Sequence, residues 1–203
     1  MSFLPDNYKP PAETSGGYMK LTQGENRLRI LGRFKDNPPG GIMGWLAWTE
    51  DAAGNRRPER FRRDDPSYDA TAYKETPKFF WALRVWNYQT SSVAVLELTQ
   101  KGMLSELAVL ANDPEWGDPT RYDLSITRTG EGLETRYAIT PKPARDVSPE
   151  VLDADAAMTV NLDALYTGDD PFAPAAVTPV NVVAPVQPAP DSIPFDGGHP
   201  DAH

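Results

Sequence analysis

The strongest constraint on the fold is the stretch from Lys78 to Asn112, where the pattern predicts a strand, a turn, a second strand and a helix. Side chains in Lys78–Tyr88 alternate between two faces, as in a β-strand. Val93–Thr99 is rich in the β-branched and aliphatic residues that favour strands. After Thr99 the apolar residues recur at helical spacing, and Asp113-Pro114 ends the helix. We therefore expect these elements to form the centre of the domain.

The two faces of the Lys78–Tyr88 strand differ in chemistry. One face is apolar and is expected to contact the core; it carries Phe79, Trp81, Leu83 and Val85. The other face combines aromatic rings with cations, whereas a solvated face usually lacks large rings. It carries Lys78, Phe80, Ala82, Arg84, Trp86 and Tyr88. We therefore expect Phe80 and Trp86 to lie open to solvent as part of a binding surface.

Four further strands are predicted around this centre, at Asn26–Phe34, Ile42–Glu50, Tyr122–Thr129 and Leu133–Thr140. About six short antiparallel strands with one interposed helix are typical of the oligonucleotide-binding (OB) barrel. The predicted class is mainly β, an OB-fold-like small antiparallel barrel with one interposed helix and a disordered acidic C-terminal tail. An SH3-like barrel and a small sandwich are the structural alternatives.

The charges divide the chain into parts. All 20 Lys and Arg lie at or before Arg145, together with 19 of the 29 acids, whereas residues 146–203 carry ten acids and no Lys or Arg. A proline-rich segment with charge of one sign does not fold easily on itself. We predict a flexible arm at 1–17, a binding domain at 18–145 and an acidic tail at 146–203, which is disordered except for a short helix within 149–166.

The composition excludes several classes of protein. The sequence has no cysteine, so it offers neither a disulfide framework nor a thiolate metal site. Its first residues lack the basic and apolar regions of a signal peptide, and no apolar run approaches the roughly 20 residues that span a bilayer. We expect a soluble intracellular protein without cofactor or metal.

Residues 56–63 hold five arginines around one phenylalanine, the densest positive charge in the sequence. Cations among aromatic rings suit single-stranded nucleic acid, because phosphates attract positive charge and exposed bases stack on rings. The alternative is a solvated segment whose charge is balanced by Asp64, Asp65 and Asp69. The candidate contacts are Arg29, Arg33, Trp45, Trp48, Arg56, Arg57, Arg60, Phe61, Arg62, Arg63, Lys74, Lys78, Phe80, Arg84, Trp86 and Tyr88. Trp45 and Trp48 lie on opposite faces of one strand, so one of the two is expected to be exposed.

Several motifs resemble, in order, the single-stranded DNA-binding proteins of tailed bacteriophages. They are YMKLTQGENRLRIL at Tyr18–Leu31, KFFWALRVWNY at Lys78–Tyr88, LELTQKGM at Leu96–Met103, WGDP at Trp116–Pro119 and the final hairpin. The resemblance covers roughly residues 18–143. It implies an OB fold, a role in phage DNA replication, recombination or repair, and a location in the cytoplasm of the infected bacterial host. Related proteins of T-even phages hold zinc through Cys and His, but here only His199 and His203 are present, so no zinc is expected.

A second resemblance lies near the end of the sequence. Asp191, Ile193, Pro194 and Phe195 in the DSIPF motif are similar to the acidic Ile-Pro-Phe tip of bacterial single-stranded DNA-binding proteins. The resemblance implies that replication or recombination proteins bind this tail. In the bacterial proteins the tip ends at its phenylalanine, whereas DGGHPDAH follows here, so the free carboxylate of the tip is missing.

These observations together predict a protein that binds single-stranded DNA with little sequence preference and protects it. We expect no enzyme activity, because Asp64, Asp65 and Asp69 lie among arginines that favour ion pairing over metal binding. We further expect the acidic tail to occupy the basic groove when DNA is absent. Two alternatives remain: an adaptor whose aromatic face binds protein, and a strand-annealing recombination mediator.

Overall fold

The structure, a computed structural model, describes residues 17–173 and places seven antiparallel strands in one sheet. The order is β3-β2-β4-β1-β6-β7, with β5 paired to β4. The mainly β class is confirmed, and the arrangement is consistent with a small OB-like barrel whose sheet does not close. The strands are β1 (Gly24–Ile30), β2 (Gly41–Glu50), β3 (Arg56–Arg62), β4 (Lys78–Asn87), β5 (Ser92–Leu98), β6 (Asp123–Thr129) and β7 (Arg136–Pro141).

Within the described residues three α-helices accompany the sheet: α1 (Lys101–Asn112), α2 (Pro149–Ala157) and α3 (Ala164–Thr167). In the described part of the chain, no helix combines the length and apolar character needed to cross a bilayer. The helix α1 lies between β5 and β6, as predicted, and Asp113 follows its last residue. Its buried side chains, Met103, Leu104 and Leu107, close one end of the core.

Strand β4 is the centre of the sheet because three strands pair with it. Its first half pairs with β2, its second half with β1, and its other edge with β5. Leu83 and Val85 point into the main core together with Leu28 of β1, as the alternation in the sequence predicted. We call this side of the sheet the inner face.

A second core lies on the opposite side of the sheet, which we call the outer face. Residues 146–173, which we call the covering segment, contribute Val151, Val160, Leu162 and Leu165 to this core, each almost fully buried. The predicted separation at 145/146 is therefore not a boundary of the folded body. The predicted helix within 149–166 is instead two helices, α2 and α3, separated by residues 158–163.

The covering segment ends beside the beginning of the described chain. Phe172 packs edge-on against Tyr18, with 5.9 Å between the ring centroids. A Cβ atom at Gly17 would lie 2.3 Å from the Phe172 ring, so a larger residue at Gly17 would displace that ring. Gly17 accepts a backbone hydrogen bond from Val95 of β5, which fixes this junction at the edge of the sheet.

Strand β3 is the one strand that the sequence did not predict. Its residues Arg56–Arg62 pair with β2 from Glu50 back to Gly44. Apolar residues do not alternate in this segment, because β3 is an edge strand whose side chains are mostly exposed. The backbones approach closely at Gly44, where a Cβ atom would lie 1.9 Å from the Phe61 carbonyl oxygen.

A buried carboxylate joins β1, β6 and the start of the covering segment. Asp123 is fully buried and accepts hydrogen bonds from Arg27 at 2.7 Å, Arg29 at 2.9 Å and Arg145 at 2.5 Å. The Tyr88 hydroxyl donates a further bond at 3.1 Å. Burial alone would raise the pKa of the Asp123 carboxyl, but the bonds from Arg27 and Arg29 outweigh it and hold that pKa below its usual range.

The Asp123→Asn variant should lose stability, because it leaves three arginines around a neutral amide. Removing one partner of a buried ion cluster costs about 3–5 kcal/mol, and urea unfolding at neutral pH measures that loss. The control is Glu75→Gln, which breaks the exposed pair of Glu75 with Arg56. Exposed pairs contribute about 0–1 kcal/mol. Equal losses in the two variants would contradict a special role for Asp123.

The same carboxylate predicts part of the acid sensitivity. A depressed pKa in the folded state stabilises the protein above the unfolded value of about 3.9, and this contribution is lost as the pH falls further. Unfolding free energies measured from neutral pH downwards should therefore fall less steeply below about pH 4 in Asp123→Asn than in the wild type. Parallel curves would show that Asp123 does not link protonation to folding.

Candidate nucleic-acid interface

The outer face brings together the rings and cations that the sequence placed on one side of β4. Phe80, Arg84 and Trp86 point to this side, and the register places Ile42, Leu46, Val93 and Val95 beside them. Arg60 and Arg62 of β3 lie on the same face, because they pair with Leu46 and Gly44 of β2. The prediction that cations and rings share one face is thus confirmed.

The rings at the centre of this face are not open to solvent. Phe80 is 0% exposed and Trp86 is 3% exposed, since the covering segment lies over both. The expectation that these two rings are accessible is therefore wrong for this conformation. The physical reason is that Val160, Leu162 and Leu165 are apolar and pack on the rings. The prediction considered only the net charge of the segment. Burying such side chains against aromatic rings is favourable at about 25 cal/mol per Å².

Polar contacts hold the covering segment on Arg62 of the outer face. Asp163 forms an ion pair with Arg62 at 2.9 Å, and the Arg62 guanidinium lies 4.5 Å from the Tyr166 ring centroid. The Tyr166 hydroxyl donates to the Met43 carbonyl at 2.8 Å, and burial raises the pKa of Tyr166. The segment therefore places a carboxylate and a ring against a single arginine.

A second ion pair lies deeper under the segment. Asp155 of α2 is 3.3 Å from Arg84, and both side chains are about one-fifth exposed, at 21% and 18%. Burial raises the pKa of the Asp155 carboxyl above its usual range, and the nearby Arg84 only partly offsets this. Arg60, whose side chain is mostly buried, pairs with Glu97 of β5 and faces the Phe80 ring at 6.0 Å.

Two predicted contacts at the β1 end of the face have structural roles. Arg29 is 2% exposed and bonds Asp123, the Thr120 carbonyl and the Arg145 carbonyl, so it cannot contact a ligand in this conformation. Its prediction as a phosphate contact is wrong, because the sequence did not reveal the buried carboxylate opposite it. Tyr88 is half-buried and lies between Arg27 and Arg145.

A second group of predicted contacts remains accessible on the β2–β3 hairpin. We call Trp48, Arg56, Arg57 and Lys74 the hairpin patch. The Arg56 guanidinium lies 4.5 Å from the Trp48 ring centroid, and Trp48 itself is half-buried. Trp48, Arg56 and Lys74 border a cleft of about 300 Å³. This patch therefore combines exposed cations with a partly exposed ring.

The inner side of the same hairpin carries a cluster of half-buried rings. Trp45 stacks on Tyr68 with 5.2 Å between centroids and 6° between ring planes, and Phe61 contacts both Tyr68 and Tyr73. Burial and a hydrogen bond to Glu59 raise the pKa of Tyr73 to about 12. Trp45 and Trp48 do lie on opposite faces, and both are partly exposed. The cluster anchors residues 64–77 to the hairpin.

Most predicted cations already have carboxylate partners within the described chain. The exposed ones pair with acids that are mostly exposed themselves, which contributes only about 0–1 kcal/mol per pair. A phosphate can therefore replace such a partner at little cost. The pairs are Arg33–Asp118, Arg56–Glu75, Arg57–Asp51, Arg62–Asp163, Arg63–Asp64 and Lys74–Glu50. Lys78 is exposed at the start of β4.

Sequence reasoning missed four residues that shape this interface. Tyr166 and Asp163 were assigned to a tail, although the spacing of Val160, Leu162 and Leu165 was a signal that this part could pack. Arg27 and Arg145 were not chosen because single arginines carry no pattern. The predicted tail contacts Asp191, Ile193, Pro194 and Phe195 lie outside the described residues, as does most of the predicted arm at 1–17.

Within residues 17–173, no group of three or more His, Asp or Glu side chains is arranged to hold a metal ion. Comparison of the chain with protein-family models and with curated protein sequences finds no match. The interpretation of the interface therefore depends on its geometry.

The contact of the covering segment can be tested with a matched pair of leucines. Leu162 is 1% exposed and Leu152, in the same segment, is 54% exposed. Leu162→Ala should destabilise the protein by about 2–5 kcal/mol and make residues 146–173 more sensitive to limited proteolysis. Leu152→Ala should change the unfolding free energy by less than about 0.5 kcal/mol. Equal sensitivity of both variants would contradict the packing described here.

Proposed function

We propose that the protein binds single-stranded DNA through the outer face and the hairpin patch, with little sequence preference. The observation that carries this proposal is the way the covering segment occupies the outer face. It sets the Asp163 carboxylate and the Tyr166 ring on Arg62, and the Asp155 carboxylate on Arg84. An anion beside a flat ring is the combination that a single strand offers, through its phosphates and bases.

The charge of the covering segment supports this interpretation. Residues 146–173 contain seven acids and no Lys or Arg, although they lie on the side of the sheet that carries Arg60, Arg62 and Arg84. In this proposal the segment and DNA compete for the same cations and rings. Binding of DNA to the outer face then requires the segment to leave. The apparent affinity for DNA is the intrinsic affinity multiplied by the fraction of molecules in which the segment is open.

The hairpin patch can bind DNA without displacement of the covering segment. Trp48 supplies a surface for stacking, worth about 1–3 kcal/mol per base, and the arginines beside it supply phosphate contacts. The proposed biological role is protection of single strands in phage replication, recombination or repair, as the motif resemblance implies. The DSIPF motif is proposed to recruit replication or recombination proteins.

An adaptor function is the second candidate, and the half-buried ring cluster around Trp45 favours it. Aromatic residues and arginines are also enriched at protein interfaces. The two candidates differ in a titration with short oligothymidine. DNA binding should quench tryptophan fluorescence, and added salt should reverse the quenching, whereas an adaptor should show neither effect. Absence of binding at low salt would reject the proposed function. Strand annealing is a variant of the first candidate and would appear as faster pairing of complementary strands.

The contribution of the hairpin can be measured through salt dependence. Each phosphate contact on a single strand contributes about 0.7 to the slope of log affinity against log salt. The triple variant Arg56→Gln, Arg57→Gln, Arg63→Gln should therefore lower the magnitude of that slope by up to about 2. Arg136→Gln is the control, because Arg136 is exposed on β7 at the opposite edge of the sheet. An unchanged slope in the triple variant would exclude these three arginines as phosphate contacts.

If DNA and the covering segment compete for the outer face, a variant that loosens the segment should bind DNA more tightly. The Leu162→Ala variant should bind oligothymidine more tightly than the wild type. Its affinity should rise about tenfold for each 1.4 kcal/mol by which the substitution lowers the free energy of opening the segment. Leu152→Ala should bind as the wild type does. If proteolysis confirms that Leu162→Ala opens the segment and affinity does not rise, the outer face does not bind DNA.

A further inference from the structure

Two arginines outside the covering segment form a cationic site. Neither of them was among the predicted DNA contacts. Arg27 of β1 and Arg145 approach the Tyr88 ring, at 4.7 Å and 5.6 Å from its centroid. Both donate to the same oxygen of Asp123, so their guanidinium groups lie close together. Their side chains are 41% and 49% exposed with the covering segment in place.

The charges around this site do not cancel. Asp123 is shared by three arginines, and Arg29 is buried with its remaining bonds directed to the carbonyls of Thr120 and Arg145. The excess positive charge therefore falls on the two exposed members, Arg27 and Arg145. The nearby Lys142 adds little, since it pairs with Glu25 at 3.5 Å.

Hydrogen bonds to Asp123 and Tyr88 hold the two guanidinium groups. Arg27 directs its Nε and one Nη to Asp123, and Arg145 uses a single Nη for both Asp123 and the Tyr88 hydroxyl. Each guanidinium has five N–H donors, so both keep donors that can bind a ligand. Two open grooves, of about 460 Å³ and about 450 Å³, meet at Arg145, and Arg27 borders the larger.

We propose that Arg27 and Arg145 bind one phosphodiester group of single-stranded nucleic acid while the covering segment is still closed. Paired guanidinium forks match the oxygens of a phosphate, and Asp123 orients both forks in advance. The inference deepens the proposed function and rests on it for the identity of the ligand. DNA can contact Arg27 and Arg145 at this site without displacing residues 146–173.

The position of the site suggests how a strand would approach the covered face. Arg27 lies on β1, on one side of β4, whereas Trp48, Arg56 and Arg57 of the hairpin patch lie on β2 and β3, on the other side. The covering segment packs on the face between them. A strand bound at both accessible ends would therefore cross the segment, where its phosphates compete with Asp155 and Asp163 for Arg84 and Arg62.

The test uses the full chain and a double variant, Arg27→Gln with Arg145→Gln, in which the Arg29–Asp123 pair remains. Losing this one phosphate contact should lower the magnitude of the log–log salt slope for oligothymidine by about 0.7. Arg136→Gln should leave the slope unchanged, and the double variant Arg27→Lys with Arg145→Lys should largely retain it. If the wild type binds and the glutamine double variant matches it, this site is overturned while the proposed function stands. If the wild type does not bind, the proposed function itself fails.

A measurement on the wild type covers the case in which the double variant does not fold. Inorganic pyrophosphate is titrated into the protein while the arginine Nε–Hε resonances are followed by NMR. The resonances of Arg27 and Arg145 should shift at lower pyrophosphate concentration than that of Arg136. Shifts of equal size and midpoint at all three arginines would overturn the site, because they would reflect screening by the added salt.

Discussion

Burial of β4 on both faces is the constraint on which the rest of the structure depends. Its inner face packs against α1 and the neighbouring strands, and its outer face packs against the covering segment. A strand with large rings on both sides needs two apolar partners, because neither a single-layer sheet nor the helix alone can cover both. The acid-rich residues 146–173 supply the second partner. They are therefore part of the fold, and any ligand for the outer face must compete with an intramolecular contact.

Electrostatics determines which parts of the interface can exchange partners. The arginines of the hairpin pair with exposed acids, so their ion pairs are weak and easily replaced. The pair between Arg84 and Asp155 is different, because burial disfavours the charged carboxylate and a vacated Arg84 would have to find another anion. In the Asp123 cluster a buried carboxylate holds three guanidinium groups, of which only that of Arg29 is buried. The cations thus range from exposed arginines with weak pairs to the fully buried Arg29.

The sequence predicted the fold better than it predicted the accessibility of the site. Alternation in Lys78–Tyr88 correctly assigned the two faces of β4, because the period of a strand is a local property. Exposure is not local: Phe80 and Trp86 are covered by residues about 80 positions further along the chain. Net charge was misleading for the same reason, since four apolar side chains in the covering segment outweigh its acids. Arg29 was expected to be exposed and is buried instead, because its partner Asp123 is distant in the sequence and no local pattern indicates the pair.

The contact between Gly17 and Phe172 has a topological consequence. The two ends of the described chain meet beside β5, so the backbone from 17 to 173 forms a nearly closed ring. Chains whose ends lie together tolerate circular permutation. A peptide bridge across this junction, with new ends opened in the exposed loop at residues 52–55, would hold the covering segment at both of its ends. In such a permuted chain the covering segment could leave the outer face only as a loop that is held at both ends.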